Sequence, residues 1–203
     1  MTAQVPADLA ERLFGILSHP DFLAMKGLAN EVPIFIQAYP PEQEDSLRRM
    51  VDGLAGRLRS GGIAVKVLDL FTLVLEELEE HQILDDLLRE EADLERVEIM
   101  ETLHNYSDPK SHLIPRLIRA IDDDDTQLVL VTGPGRVFPF LRTHTILESL
   151  QPAMLRLPVV IFFPGEYVQE PRGGSHLRLF GSIPSPKINT PYYRATNLDQ
   201  YRP

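Results

Sequence analysis

Apolar positions along the chain fall into two kinds of run, and their alternation sets the expected architecture. Residues 7–18 carry Leu9, Leu13, Phe14, Ile16 and Leu17, the stripe of one helical face, and Pro20 closes that lead-in helix. PIFIQAY at 33–39 is short, apolar and stopped by Pro40 and Pro41, which predicts a buried strand. Residues 46–59 return to helical spacing before Gly61-Gly62, and IAVKVLDL at 63–70 predicts a second strand. A strand, a helix and a strand in this order form the unit whose crossover demands a parallel pair.

Helical spacing then continues through a long charged stretch that includes Ile83, Leu84, Leu87, Leu88, Leu94, Val97 and Leu103, and Pro109 separates it from a helix at 113–121. Asp122 to Asp125 read as a solvated turn ahead of QLVLVTG at 127–133, the most convincing buried strand in the chain. A helix at 138–150 and the strand PVVIFFP at 158–164 complete a second β-α-β unit. A short strand is expected at 176–180 after the flexible RGGS stretch, and the end bearing Pro184, Pro186 and Pro191 is ordered by packing on the body. The expected fold is therefore α/β: a three-layer Rossmann-like fold with a mostly parallel central sheet of four to five strands. An acidic helical insertion at about 71–121 is added to a single domain spanning 1–203.

Charge sharpens this picture. The formal net charge is −10, and the segment 76–101 holds twelve acids against only Arg89 and Arg96, which is the whole imbalance. From 133 to 203 there are eight Arg or Lys against four acids, so the molecule is polarised. A chain this acidic is not expected to coat DNA unaided, because non-specific nucleic-acid affinity rests on Lys and Arg neutralising phosphates. The absence of cysteine excludes disulfides, thiolate nucleophiles and Cys-ligated zinc or iron–sulfur centres. The amino terminus is amphipathic with acidic residues, and no stretch approaches the roughly 20 apolar residues of a membrane span, so the expected compartment is the cytoplasm, without membrane attachment.

Chemistry in open α/β sheets gathers at the carboxyl ends of the strands, so the loops there are the places to look. TGPG at 132–135, followed by PFLRTH at 139–144, offers Gly133 and Gly135 at a strand-to-helix turn with Arg142 nearby, a geometry suited to an anion. Phe138 stands where a dinucleotide fingerprint needs its third glycine, and there is no Gly-Lys-Ser/Thr ending of a P-loop. The same glycines and Pro139 equally suit a structural turn at a helix start. Glu166, in PGEY, is placed as a base or as an ion-pair partner of an arginine such as Arg142 or Arg178. Tyr39 and its two prolines form a rigid packing surface. The six histidines at 19, 81, 104, 112, 144 and 176 lack the two-His-plus-Glu helical pattern of zinc proteases, so neither a metal nor a cofactor is expected. His144 shares a helix with Arg142 and reads first as a hydrogen-bonded residue at the core edge.

The ordered series PIFIQAYPPE, LVLVTGPGRVFPFLRTHTILESLQ, PVVIFFPGEY, LRLFG and YYRA resembles the BrxB family, the small component of bacterial BREX phage-defence systems. The resemblance spans most of the chain and is strongest from 128 to 195. It implies a protein working beside a BREX ATPase, a methyltransferase and the alkaline-phosphatase-like protein PglZ, with direct association with PglZ and no established enzymatic activity of its own. The family offers no catalytic residues to carry over. Tyr39, Thr132, Gly133, Gly135, Phe140, Arg142, His144, Gly165, Glu166, Tyr167, Arg178 and Arg194 are accordingly the candidate recognition surface. Two functions follow as expectations: a non-catalytic adaptor that helps assemble a BREX complex, and a degenerate nucleotide- or phosphate-binding enzyme using the Gly133–Gly135 turn, Arg142 and Glu166.

Overall fold

The computed structural model describes residues 5, 7–26, 32–121, 125–150, 156–169, 175–181, 183–184 and 195–202. Helices α1 (Ala7–Leu17) and α2 (Pro20–Leu23) lead into strand β1 (Ile34–Tyr39). Pro20 starts α2 as well as ending the first helical run: His19 caps it, its Nδ1 accepting the Asp21 N–H at 3.2 Å. After a 3-10 turn at Pro41–Gln43, α3 (Glu44–Ser60) buries Leu47, Val51, Leu54, Ala55 and Leu58, one face at helical spacing. Strand β2 (Val65–Asp69) runs straight into α4 (Leu70–Glu80), with Asp69 as the N-cap. Helices α5 (Leu84–Glu90), α6 (Arg96–Tyr106), a π-helical turn at Pro109–Leu113 and α7 (Ile114–Ile121) lead to β3 (Leu128–Thr132). Helix α8 (Thr143–Leu150), β4 (Val159–Gln169), β5 (Ser175–Leu179), β6 (Ile183–Pro184) and β7 (Thr196–Asn197) complete the described elements.

The central sheet has the order β2-β3-β4-β1-β7, all parallel. This is the expected three-layer, Rossmann-like α/β layout. Side chains alternate across each strand, so Ile34 and Ile36, Val129 and Val131, and Val159 and Ile161 enter one core with α4, α7 and α8. Phe35, Leu128, Leu130, Val160 and Phe162 enter the other, with α1 and α3. Burial on both faces explains why these strands read as continuous apolar runs.

Four details depart from the sequence reading. β1 and β2 are parallel but not neighbours, because β3 and β4 lie between them. The chain steps back across the sheet over the α3 face and then forward from β2 to β4 over the α4 face. Reversing direction and face together gives the crossovers the same hand. The acidic stretch is only partly an insertion: α4 buries Leu70, Leu73, Val74 and Leu78 and is itself the crossover helix. Helices α5 and α6, which have no fully buried residue, are the added layer.

The helix expected from 138 begins only at Thr143. Val137, Phe140 and Leu141 are buried at helical spacing but belong to a chain of turns that folds onto the core. Finally, β4 does not stop at Pro164. Having no N–H, Pro164 ends the parallel ladder opposite Tyr39, after which Gly165 to Gln169 pair antiparallel with β5. Asp122 to Asp124, Pro186 and Pro191 lie outside the described residues.

Two glycines give opposite expectations. A Cβ at Gly165, whose φ is +151°, would lie 2.1 Å from the Arg178 carbonyl oxygen. Gly165→Ala should cost about 2–4 kcal/mol in urea unfolding, since neither backbone can yield without breaking the hairpin. Gly53 lies inside α3 with nothing within 4 Å of an added Cβ, so Gly53→Ala should raise stability by about 0.5–1 kcal/mol.

Candidate functional site

The carboxyl edge of the sheet is organised by Asp69. As N-cap of α4 its Oδ1 accepts the Thr72 N–H at 3.0 Å and the Thr72 hydroxyl at 3.2 Å. The Arg136 guanidinium donates to the same oxygen at 3.0 Å, while Oδ2 accepts the Thr132 hydroxyl at 3.2 Å and lies 4.0 Å from Arg48 Nε. Burial works to raise the Asp69 pKa, but the Thr72 N–H, Arg136 and Arg48 outweigh it and hold the carboxyl below its usual range. The apolar run predicts a strand continuing through Asp69 to Leu70, whereas Asp69 ends β2 and caps α4. The D-x-x-T spacing from Asp69 to Thr72, a helix-start signature, could have found it.

Gly133 sits inside this cluster. A Cβ there would stand 3.0 Å from Asp69 Oδ2, and its φ of +85° is one that few residues other than glycine adopt. The turn read as an anion cradle is thus filled by the protein's own carboxylate, and Arg136 is paired with it. Gly135 is equally confined, since a Cβ would meet Pro164 at 2.9 Å and the Phe180 ring at 3.2 Å. Beside the corner a cleft of about 310 Å³ is lined by Arg48, Asp52, Asp69, Thr72, Glu76 and Thr132 among others. Tyr39, at the end of β1, donates a short hydrogen bond to Glu44 Oε2, and burial followed by that bond pushes its phenol far above the ordinary range. It is a fixed donor and not a base.

The remaining predicted residues separate into two places. Glu166 and Arg178 are register partners on the β4–β5 hairpin, and their side chains pair at 3.2 Å, both substantially exposed. Tyr167 donates its hydroxyl to the Ala195 carbonyl at 3.1 Å, tying the hairpin to the carboxyl-terminal segment. The corner loop reaches this hairpin through Phe138, whose ring meets Phe180 edge-on at 5.9 Å. Arg142 lies exposed with its guanidinium 5.9 Å from the Phe138 ring, not beside Glu166. Burial lowers the pKa of the His144 imidazole, with Glu148 opposing and Arg142 adding to the shift. Arg194 lies outside the described residues.

Phe140 faces the other way, towards the acidic helices. Its carbonyl is 2.9 Å from His104 Nδ1 on α6, and between the two elements runs a groove of about 730 Å³. Arg96, Val97, Met100, Glu101, His104, Asn105, Pro139 and Phe140 line it. Val97 is 65% exposed and Leu88, on α5, is 61% exposed, large fractions for apolar side chains. Further along α4, Glu77 is buried and accepts from Arg116 Nε at 2.6 Å and from His112 Nδ1 at 2.9 Å. Glu76 and Glu80 also pair with Arg116. Burial opposes ionisation of Glu77, and Arg116 and His112 more than offset it, so its pKa lies below the usual value.

Asp69 and Glu77 both have depressed folded pKa values. Their stabilisation is therefore complete above the unfolded carboxyl values, near pH 4, and is lost as the pH falls through the lower folded ones. Asp69→Asn should cost about 1–3 kcal/mol at pH 7. Its deficit against the parent chain should shrink below about pH 4, read from urea midpoints across a pH series.

The family described as "BREX protein BrxB" matches residues 66–198, from β2 through β7. A protein of Bacillus cereus (strain H3081.97) with the same description is 32% identical over 93% of this chain and 96% of its own length. One from Escherichia coli O9:H4 (strain HS), also described so, is 24% identical over 72% of each chain. No solved structure matches. The matched span covers the Asp69 corner, the Phe140 groove and the hairpin, and the chain belongs to the BrxB family, a component of BREX phage-defence systems.

Proposed function

We propose that this chain is a non-catalytic adaptor of a BREX assembly and binds the alkaline-phosphatase-like protein PglZ through the face made by α6 and the Phe140 loop. The observation that carries the reading is the contact between His104 and the Phe140 carbonyl at 2.9 Å. It joins the acidic helical layer to the motif-bearing loop in one surface. That surface has an apolar floor, from Val97, Met100, Pro139 and Phe140, with carboxylates such as Glu98 and Glu101 exposed around it. An apolar centre with a charged rim is the anatomy of a protein interface; Arg96 stands beside Glu101 on the rim, and the further acids exposed on α5 and α6 favour a partner segment that is apolar with basic flanks. The reading is also supported by how the strand-end groups are used: Asp69 is bound by Thr72, Thr132 and Arg136, and Glu166 by Arg178.

Co-elution with the cognate PglZ at moderate salt is the first test, and failure of the unaltered chain to co-elute would overturn the adaptor reading. Val97→Asp and Glu101→Lys should each weaken the complex about tenfold, about 1.4 kcal/mol. Both sites are exposed, and Asp in the first turn of α6 suits the helix. Arg178→Glu, on the hairpin, should leave affinity unchanged. A reversed pattern would move the docking face to the hairpin. A nucleotide and Mg²⁺ thermal-shift screen should be silent; clear stabilisation abolished by Arg142→Ala would instead favour the phosphate-binding enzyme.

A further inference from the structure

Glu77 and His81 stand four residues apart on one face of α4, and the π-helical turn brings His112 against them. One ligand atom from each lies within 4.8 Å of the other two. We propose that these three side chains hold a divalent ion of the zinc class, with the fourth position open to water, and that the ion locks α4 to the turn that opens α7. The site is independent of the docking surface proposed above.

The donor set, its spacing and its surroundings carry this. The donor set is one carboxylate and two imidazoles, which suits Zn²⁺, whereas Ca²⁺ and Mg²⁺ require more oxygen ligands. The Glu77 Oε1 to His112 Nδ1 separation is 2.9 Å, and two tetrahedral ligands each about 2.0–2.1 Å from one zinc ion stand about 3.3 Å apart, so a small opening of this pair admits the ion. In the metal-bound form the nitrogen gives up the proton it shares with Oε1, and the ion lies beside the line that joins the two atoms. His81 is exposed and forms the C-cap of α4, with no helix continuing beyond it, so its ring can adjust towards the other two.

The surroundings already resemble the outer shell of a metal site. The second Glu77 oxygen is held by Arg116 Nε at 2.6 Å, which fixes the carboxylate so that Oε1 faces the imidazoles. The Tyr106 ring packs at 5.2 Å from His81 and 6.0 Å from His112, limiting their rotation and screening one side. Charge balance points the same way. Glu76, Glu77 and Glu80 surround the single cation of Arg116, so with neutral imidazoles the cluster carries −2, the charge a dication neutralises. His112 also lies in a π-helical turn, a local widening of the helix that often marks a functional position. His112 lies far along the chain from the Glu77 and His81 pair, so no local spacing marks the cluster.

The test uses the full chain without a histidine tag, dialysed against chelator and titrated with Zn²⁺ calorimetrically. One equivalent should bind with a dissociation constant in the micromolar range or below, and saturation should raise the melting temperature by about 5 °C. Co²⁺ in place of Zn²⁺ should give the visible absorption of a four-coordinate site. His81→Asn and His112→Gln should each weaken binding at least tenfold and abolish the Co²⁺ bands, while His19→Asn should not. Because His81 is exposed, His81→Asn should keep the metal-free circular dichroism and melting temperature of the parent, which separates lost ligation from lost folding. Absence of one-equivalent binding would overturn the proposal, as would undiminished binding in both variants.

Discussion

One carboxylate, that of Asp69, governs how the upper edge of this molecule is built. It lies where β2 passes directly into α4, and without a cap there the first N–H groups of α4 would face a half-buried environment unpaired. The same group accepts from Thr132 at the end of the neighbouring strand and from Arg136 in the next turn. Adjacent strand ends, a helix start and a loop are thereby referred to a single point. The close fit of Gly133 against Oδ2 is the geometric consequence: the turn can approach only because it has no side chain.

That arrangement also decides what the edge can do. Open α/β sheets bind anions where backbone N–H groups converge after a strand, and the Gly133 turn has the right position for it. Here a carboxylate already occupies the space and Arg136 is paired with it, so a phosphate would have to displace a partly buried ion pair. Phe138, Gly135, Pro164 and Phe180 close the far side by packing. Polar capacity that in a nucleotide-binding relative of this fold would face a ligand is turned inward to hold the corner. Exposed charge and apolar surface lie instead on α6 and the hairpin.

How much of this the sequence disclosed follows from the range of each interaction. Strands buried on both faces announce themselves locally, so β1, β3 and the first part of β4 were legible from composition alone, and with them the parallel α/β class. Strand order was not legible, because the skip from β1 to β2 depends on which faces α3 and α4 cover, a relation between distant segments. The turn at 134–142 imitated a helix because inward-facing side chains recur at similar intervals in both. Glu166 was readable as an ion-pair partner but not which arginine it met; cross-strand register assigned Arg178 and left Arg142 by Phe138. The Thr132 and Arg136 partners of Asp69, and the approach of His112 to Glu77 and His81, are relations between residues far apart in sequence and leave no local mark.

The acidic segment shows why net charge is a poor guide until it is divided by direction. Glu76, Glu77 and Glu80 turn towards Arg116, a partly buried cation, and this group is part of how α4 packs against the π-helical turn and α7. Arg116 offsets one of these three charges, and Glu76 and Glu80 remain about half exposed, at 49% and 55%. Glu90, Glu91, Asp93, Glu95, Glu98 and Glu101 are all exposed, on or between α5 and α6, helices with no fully buried residue of their own. Of these, Glu95 and Glu98 exchange hydrogen bonds that cap α6, yet both remain solvent-facing. Much of the exposed acidic charge therefore lies on the outer helical layer. At the groove floored by Met100 and Phe140 it is represented by Glu101 with Arg96 opposite in sign, so the polarity visible in the sequence is divided locally into a mixed rim.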